Sequence, residues 1–147
     1  MPKYFAQDTA LDAARITVAV RPLPDGWRGM AWNMAGRKVI VITPAVDASP
    51  IIRYCTIAHE YCHLRRGSAE RPHADSESDR LNAARDEARV RRDTARLLMP
   101  DAPLLTALRQ GMDPRQLAHE FDVIPDVVTD RLELCRTELD RLMRGAG

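Results

Sequence analysis

The segment 49–67 constrains the fold most strongly, because it carries both the start signal and the stop signal of a single helix. Ser49 is a preferred N-cap residue, and Pro50 suits the first helical position, where its missing N–H group would have no helical partner. Gly67 is well placed as the carboxyl-terminal cap, since glycine readily adopts the left-handed conformation found there. The sequence therefore predicts a helix over about 50–66. The flank of this helix that can dock on a sheet comprises Ile57, Ala58, Tyr61 and Leu64.

Three segments before this helix have the composition of β-strands. The candidates are 16–20 (ITVAV), 28–34 (RGMAWNM) and 37–43 (RKVIVIT). The last two are joined through Ala35 and Gly36, a spacing that predicts a hairpin with Trp32 on its packed face. A short helix at 6–15 precedes them. We therefore expect a small antiparallel sheet of two or three strands.

The chain after Gly67 is predicted to be helical. Residues 67–76 have loop composition, and Ser76 with Asp79 resembles a capping box that opens a helix running to Met99. Further helices are predicted at 103–109, from Asp113-Pro114 onward and from Pro125 onward. The last of these is amphipathic.

The predicted fold class is α+β, with the small antiparallel sheet packed on the helix 50–66 and on the helix that follows it. A chain of 147 residues is long enough for one modest core and a small helical appendage. We expect a core at 1–100 and a helical, helix-turn-helix-like subdomain at 101–147 that packs on it.

Composition excludes several classes of function. The hydrophobic fraction of 45% and the charged fraction of 29% are typical of a globular protein, and no apolar run predicts a signal peptide or a membrane span. Three cysteines, an odd number, indicate free thiols and a cytoplasmic location. A net charge of +1 gives no reason to expect binding to nucleic acid or anionic lipid. Because 20 of the 22 basic residues are Arg, no single Arg is read as a binding residue.

The helix 50–66 carries the motif H-E-x-x-H at His59, Glu60 and His63. Residues four apart lie one turn above the other on one face, so both imidazoles can bind the same metal ion. Catalytic zinc normally takes three protein ligands and keeps a fourth position for water. A third ligand must therefore come from elsewhere in the chain.

Glu87 is the better candidate for this third ligand, and His73 in the loop is the other. The metzincin pattern H-E-x-x-H-x-x-G-x-x-H would supply a third His. It is excluded, because Gly67 lies one position too late for its Gly and position 69, where its last His would stand, is Ala. The helix that ends at Met99 has an arginine stripe, predicted to be solvated, comprising Arg85, Arg89, Arg92 and Arg96. Its other face carries Ala83, Ala84, Glu87, Val90, Thr94 and Leu98. A lone carboxylate on that largely apolar face needs a partner, and two imidazoles with a Glu form a recognised zinc set.

The motif predicts a hydrolytic mechanism. One alternative, in which these residues have only a structural role, stays open. Zinc on His59, His63 and Glu87 would make water acidic near neutral pH and polarise a peptide carbonyl. Glu60 would take the proton of the water and pass it to the leaving amine. The alternative is that the two His residues and a buried Glu only form hydrogen bonds with one another in a helical core.

Two stretches, TIAHEYCHLRRG at 56–67 and DEARVRRDTARLLMP at 86–100, resemble the ImmA/IrrE family of bacterial metallo-endopeptidases. In that family the second motif helix ends in Leu-Leu-Met-Pro, and the third zinc ligand is a Glu thirteen residues before the Pro. Thirteen residues before Pro100 is Glu87, so the resemblance implies the same ligand. The chain departs from the family pattern at Asp93, where an aromatic residue is usual.

The resemblance also implies a biological role. It implies a gluzincin-like hydrolase that uses zinc and is associated with phages or integrative elements. Its substrate would be a cytoplasmic helix-turn-helix repressor, whose cleavage regulates transcription.

The segment 113–134 supports a competing interpretation, because it resembles a DNA-binding helix-turn-helix. Charge argues against DNA binding: residues 113–147 hold five Arg and eight acids, and Asp126 and Asp130 lie where phosphates would need cations. A further alternative is a zinc-containing but non-proteolytic protein that binds a repressor, or DNA, through its helical tail.

Overall fold

The computed structural model describes residues 4–67 and 76–145, which form an α+β fold of three strands and seven helices. In chain order these elements are α1 (Gln7–Ala13), β1 (Ile16–Val20), β2 (Gly29–Met34), β3 (Arg37–Ile42), α2 (Pro44–Asp47), α3 (Pro50–Arg66), α4 (Glu77–Leu98), α5 (Asp101–Arg109), α6 (Pro114–Phe121) and α7 (Pro125–Gly145). The predicted class is therefore confirmed. The loop that contains His73 lies outside the described residues.

The three strands form a mixed sheet in the order β1-β3-β2. β2 and β3 form the predicted antiparallel hairpin, and Met34 is paired with Arg37. Between them Ala35 (φ 51°) and Gly36 (φ 81°) both have left-handed backbone, as a type I′ turn requires. β1 pairs with β3 in parallel, so the prediction of an antiparallel sheet is wrong for this strand. After β1 the chain crosses to the opposite edge of the sheet, where it forms β2. The hairpin then brings it back to the central position as β3, which runs parallel to β1.

The inner face of the sheet is buried against α3. The shared apolar cluster comprises Leu11, Ile16, Ala31, Ile40, Ile42, Val46, Ile57 and Leu64. Trp32 does not join it and is 49% exposed. Side chains alternate along a strand, and Ala31 takes the inward position, so the prediction that Trp32 packs inside is wrong.

α3 has the predicted limits. Its carboxyl-terminal cap is Gly67, with φ 68° and an N–H group that donates to the carbonyl oxygen of Leu64 at 3.2 Å. Ser49 precedes the helix with extended backbone, but its side chain makes no capping hydrogen bond. The short helix α2 was not predicted, although Thr43 caps it by accepting a hydrogen bond from the N–H of Val46 at 3.3 Å.

The helices α5, α6 and α7 pack on α3 and α4 through a second apolar cluster. Its buried members include Tyr54, Ala58, Leu98, Met99, Leu104, Leu117, Phe121 and Val128. The predicted start of α6 is confirmed, since Asp113 and Gln116 form a reciprocal capping box. The side chain of Asp79, part of the capping box predicted for α4, lies outside the described residues. None of the described helices has both the length and the apolar character needed to cross a bilayer.

Candidate metal centre

His59 and His63 lie one turn apart on α3 and face the same side. Their ring centroids are 4.9 Å apart, and the ring planes are inclined at 72°. The two side chains are 24% and 13% exposed, so each imidazole is held by packing while its edge remains accessible. The helix geometry inferred from their spacing is therefore observed.

Glu87 reaches both imidazoles from the adjacent helix α4. Its Oε1 lies 2.9 Å from Nε2 of His59, and its Oε2 lies 3.0 Å from Nε2 of His63. The structure thus brings together the three residues that the sequence analysis selected as ligands.

These three side chains fit a zinc ion. One ligand atom from each lies within 4.8 Å of the other two, and no other such group occurs in the part of the chain that the structure describes. Hydrogen bonds to His59 and His63 hold the pKa of Glu87 well below its usual range, so the carboxylate carries the charge that a metal ligand needs. Two imidazoles and one carboxylate are a recognised donor set for catalytic zinc.

Glu87 does not lie on a buried apolar face, so the prediction that it is a stranded carboxylate is wrong. Its side chain is 48% exposed, and both Ala83 and Ala84 are exposed as well. α4 packs on its neighbours through Val90 and residues farther along the helix, so its first turns project beyond the core. Glu87 meets the imidazoles because it lies one turn before this contact.

Glu60 follows His59 in the motif and is 6% exposed. It lies near the start of β2, where a Cβ atom built on Gly29 would be 3.3 Å from Cγ of Glu60. The same atom would be 2.8 Å from Cγ2 of Thr56, closer than carbon atoms pack. Glycine at this position therefore allows β2 to approach the motif helix closely.

A cleft of about 490 Å³ opens beside His59 and Glu87. It lies among β2, α3, α4 and the start of α7, and its walls include Arg28, Thr56, Glu60, Thr94, Asp126 and Val127. One wall carries an ion pair in which the Arg91 guanidinium donates to both carboxylate oxygens of Asp130, at 2.8 and 3.2 Å. These partners are far apart in the chain, so no local pattern predicts them.

Among the residues that the structure describes, the two buried cysteines of α3 and His119 lie outside the group formed by His59, His63 and Glu87. Burial raises the pKa of the Cys55 thiol to about 11 and also raises that of Cys62, so both thiols stay protonated near neutral pH. Both side chains are buried, as expected for small residues in a core. His119 is exposed on α6.

Comparison with known protein families identifies the family to which the chain belongs. The sequence profile described as the IrrE N-terminal-like domain matches residues 12–133, which is most of the chain. The chain belongs to this family. IrrE N-terminal-like domains form a metallopeptidase family, and the match spans both the motif helix α3 and the Glu87 helix α4. No curated protein and no solved structure matches the chain.

Proposed function

We propose that this protein is a zinc-dependent metallo-endopeptidase that hydrolyses a peptide bond in a cytoplasmic protein substrate. The observation that carries the proposal is the convergence of His59, His63 and Glu87 at the edge of a cleft that Glu60 also lines. Membership of a metallopeptidase family supports it independently.

The donor set and Glu60 have separate roles in this proposal. Bound by His59, His63 and Glu87, zinc would supply Lewis acidity, which makes a water molecule acidic near neutral pH and polarises a peptide carbonyl. Glu60 accepts the proton of the attacking water at its carboxylate. It then delivers that proton to the nitrogen of the leaving amine, so the carboxylate is regenerated.

β2 offers a binding mode for an extended substrate. It is an edge strand, because the sheet order is β1-β3-β2, and its first residue, Gly29, lines the cleft. A peptide can add to such an edge through main-chain hydrogen bonds while its side chains enter the neighbouring pockets. This arrangement would bring a peptide bond toward Glu60.

The substrate class is proposed from the resemblance to the ImmA/IrrE family. We propose a helix-turn-helix repressor of a phage or integrative element, whose cleavage regulates transcription. The position of Asp126 and Asp130, which both line the cleft, supports contact between the start of α7 and the protein substrate and argues against DNA binding by this helix. A negatively charged helix start is unsuited to contacting phosphates.

The zinc content of purified variants tests the metal centre. We expect about one zinc per chain in the wild type and much less in His63→Ala and Glu87→Ala, because each loses one of three ligands. His119→Ala is the matched control, an exposed His on α6 whose loss should leave zinc unchanged. A wild type that cannot take up added zinc would contradict the proposal and leave only a hydrogen-bonded cluster.

Glu60→Gln separates peptidase activity from non-proteolytic zinc binding. Zinc content and fold should be retained, whereas cleavage of a co-expressed repressor should fall by roughly a hundred- to ten-thousand-fold. Unchanged biological activity in this variant would instead favour sequestration of the repressor without cleavage.

A further inference from the structure

A groove between α4 and α7, here called the arginine groove, has a volume of about 260 Å³ and lies on the arginine stripe of α4. Its basic residues come from three helices and comprise Arg66, Arg89, Arg92, Arg96 and Arg141. Its acidic residues are Asp93 and Glu138. The fold thus gathers five guanidinium groups around one concave surface, although they are dispersed in the sequence.

The two acids of the arginine groove are already paired. Arg66 pairs with Asp93, and Arg96 pairs with Glu138. The arginines that form no ion pair with any residue the structure describes are Arg89, Arg92 and Arg141. The groove therefore carries an excess of positive charge. The chain as a whole has a net charge of only +1, so overall composition does not account for this concentration.

A second groove of about 270 Å³ lies between the arginine groove and the metal cleft and shares lining residues with each. It shares Arg92, Leu134 and Thr137 with the arginine groove. It shares Arg91 and Asp130 with the cleft beside the zinc ligands. The three spaces therefore follow one another along α4 and α7, and the Arg91–Asp130 ion pair lies between the metal cleft and the second groove.

We propose that the arginine groove is an exosite that binds an acidic segment of the protein substrate while another segment occupies the metal cleft. This inference rests on the proposed peptidase function. Carboxylates of a peptide would complement the guanidinium groups of Arg89, Arg92 and Arg141, and the shared lining residues place the groove close enough for one polypeptide to reach both it and the cleft. Two linked contacts of this kind raise the effective concentration of the scissile segment at the cleft.

A peptide fits this surface better than nucleic acid does. The residues that line the two grooves include the apolar Leu134 together with Asp93, Glu133 and Glu138. A polypeptide can alternate acidic, apolar and polar side chains to match such a mixed surface. A phosphate backbone carries its charges at a fixed spacing, so it cannot place them only opposite the arginines and away from these carboxylates.

Binding of short fluorescein-labelled peptides to the full chain tests the exosite. The probe is a Glu-rich peptide, its control is the same peptide with every Glu replaced by Gln, and a random DNA duplex is measured beside them. We expect the wild type to bind only the Glu-rich peptide at low salt and to lose affinity as salt rises. In Arg89→Gln/Arg92→Gln/Arg141→Gln the affinity should fall roughly tenfold, since three modest charge contacts are lost.

The matched control is Arg37→Gln/Arg109→Gln/Arg115→Gln, which removes the same charge from exposed positions away from the groove. Its affinity for the peptide should remain close to that of the wild type. Equal weakening in both triple variants, or no binding by the wild type, would overturn the proposal. Preferential binding of the duplex, lost only in the groove variant, would overturn it in favour of nucleic acid.

Zinc analysis of the same samples separates this proposal from the proposed function. A zinc-loaded wild type whose peptide binding is indifferent to the groove variant would refute the exosite alone. A zinc-free wild type with groove-dependent peptide binding would refute the peptidase, and the groove would then be a peptide-binding surface without an exosite role.

Discussion

At the scale of single residues, Gly29 sets how closely β2 approaches Glu60. The helix α3 and the strand β2 meet where Thr56 faces Gly29. A Cβ atom added to Gly29 would lie 2.8 Å from Cγ2 of Thr56, so there is no room for a methyl group. The backbone oxygen of Val41 lies 3.2 Å from the same point, so the strand cannot turn aside freely. The position of the Glu60 side chain relative to β2 therefore depends on the absence of a side chain at residue 29.

We predict that Gly29→Ala destabilises the fold by about 1–3 kcal/mol, because the added methyl group overpacks the contact between β2 and α3. Thr56→Ser removes the Cγ2 atom that would be met first. The double variant Gly29→Ala/Thr56→Ser should therefore recover part of the lost free energy of unfolding. Urea unfolding of the wild type, the two single variants and the double variant measures this. A stable Gly29→Ala protein, or a double variant no better than the single one, would show that the strand adjusts without strain.

The residues of the candidate site differ in how well their positions in the structure can be predicted from the sequence. The spacing of His59 and His63 on a helix is enough to predict that their imidazoles share a face. Glu87 lies beside both imidazoles, but it is exposed and not stranded on an apolar face, and its role as a ligand stays a prediction. Gly29 gives no signal, because a close approach between two elements arises only when they pack.

At the scale of secondary-structure elements, Arg131 fixes α7 to the end of α4. It is 1% exposed, its Nε donates to the carbonyl oxygen of Met99 at 2.8 Å, and its guanidinium pairs with Asp101. The carbonyl of Met99 lies near the helix end, where no intrahelical donor is available to it. A buried arginine therefore satisfies this end of α4 and holds two helices together.

Arg131→Met should lower the free energy of unfolding by about 1–3 kcal/mol, since the carbonyl of Met99 loses its donor while the apolar stem is retained. Arg136→Met on the same helix is the control, because Arg136 is exposed and its ion pair with Glu133 lies at the surface. Its urea midpoint should match that of the wild type. Equal midpoints for both variants would mean that Arg131 is replaceable by any side chain that fills the space.

The limits of α3 and the hairpin of β2 and β3 followed from local chemistry, whereas relations between elements farther apart in the chain did not. The limits of α3 were predicted because Pro50 and Gly67 act on their own backbone. The parallel pairing of β1 was missed, because strand composition says nothing about direction. The structural role of Arg131 was also missed, since a sequence rich in arginine gives no means to distinguish a buried one.

At the scale of the whole molecule, the motif helices and the helical tail share one core. Tyr54 and Ala58 of α3 and Leu98 of α4 pack in the same buried cluster as Leu104, Phe121 and Val128. The match to the family also extends across both parts. The division into a core at 1–100 and a packed subdomain at 101–147 stays a prediction, and the shared cluster indicates that the first part depends on the second.

A chain that ends at Pro100 tests this dependence. Without α5, α6 and α7, the apolar side chains of Tyr54, Leu98 and Met99 would face water, and the carbonyl of Met99 would lose Arg131. Since a domain is only marginally stable, we expect the shortened chain to unfold without a cooperative transition and to bind zinc less tightly than the full chain. Near-ultraviolet circular dichroism, urea unfolding and zinc titration measure this, with a chain ending at Gly145 as the control. A shortened chain that folds cooperatively and binds zinc as tightly as the full one would show that residues 101–147 are dispensable for the metal centre, and their function would then lie in substrate recognition alone.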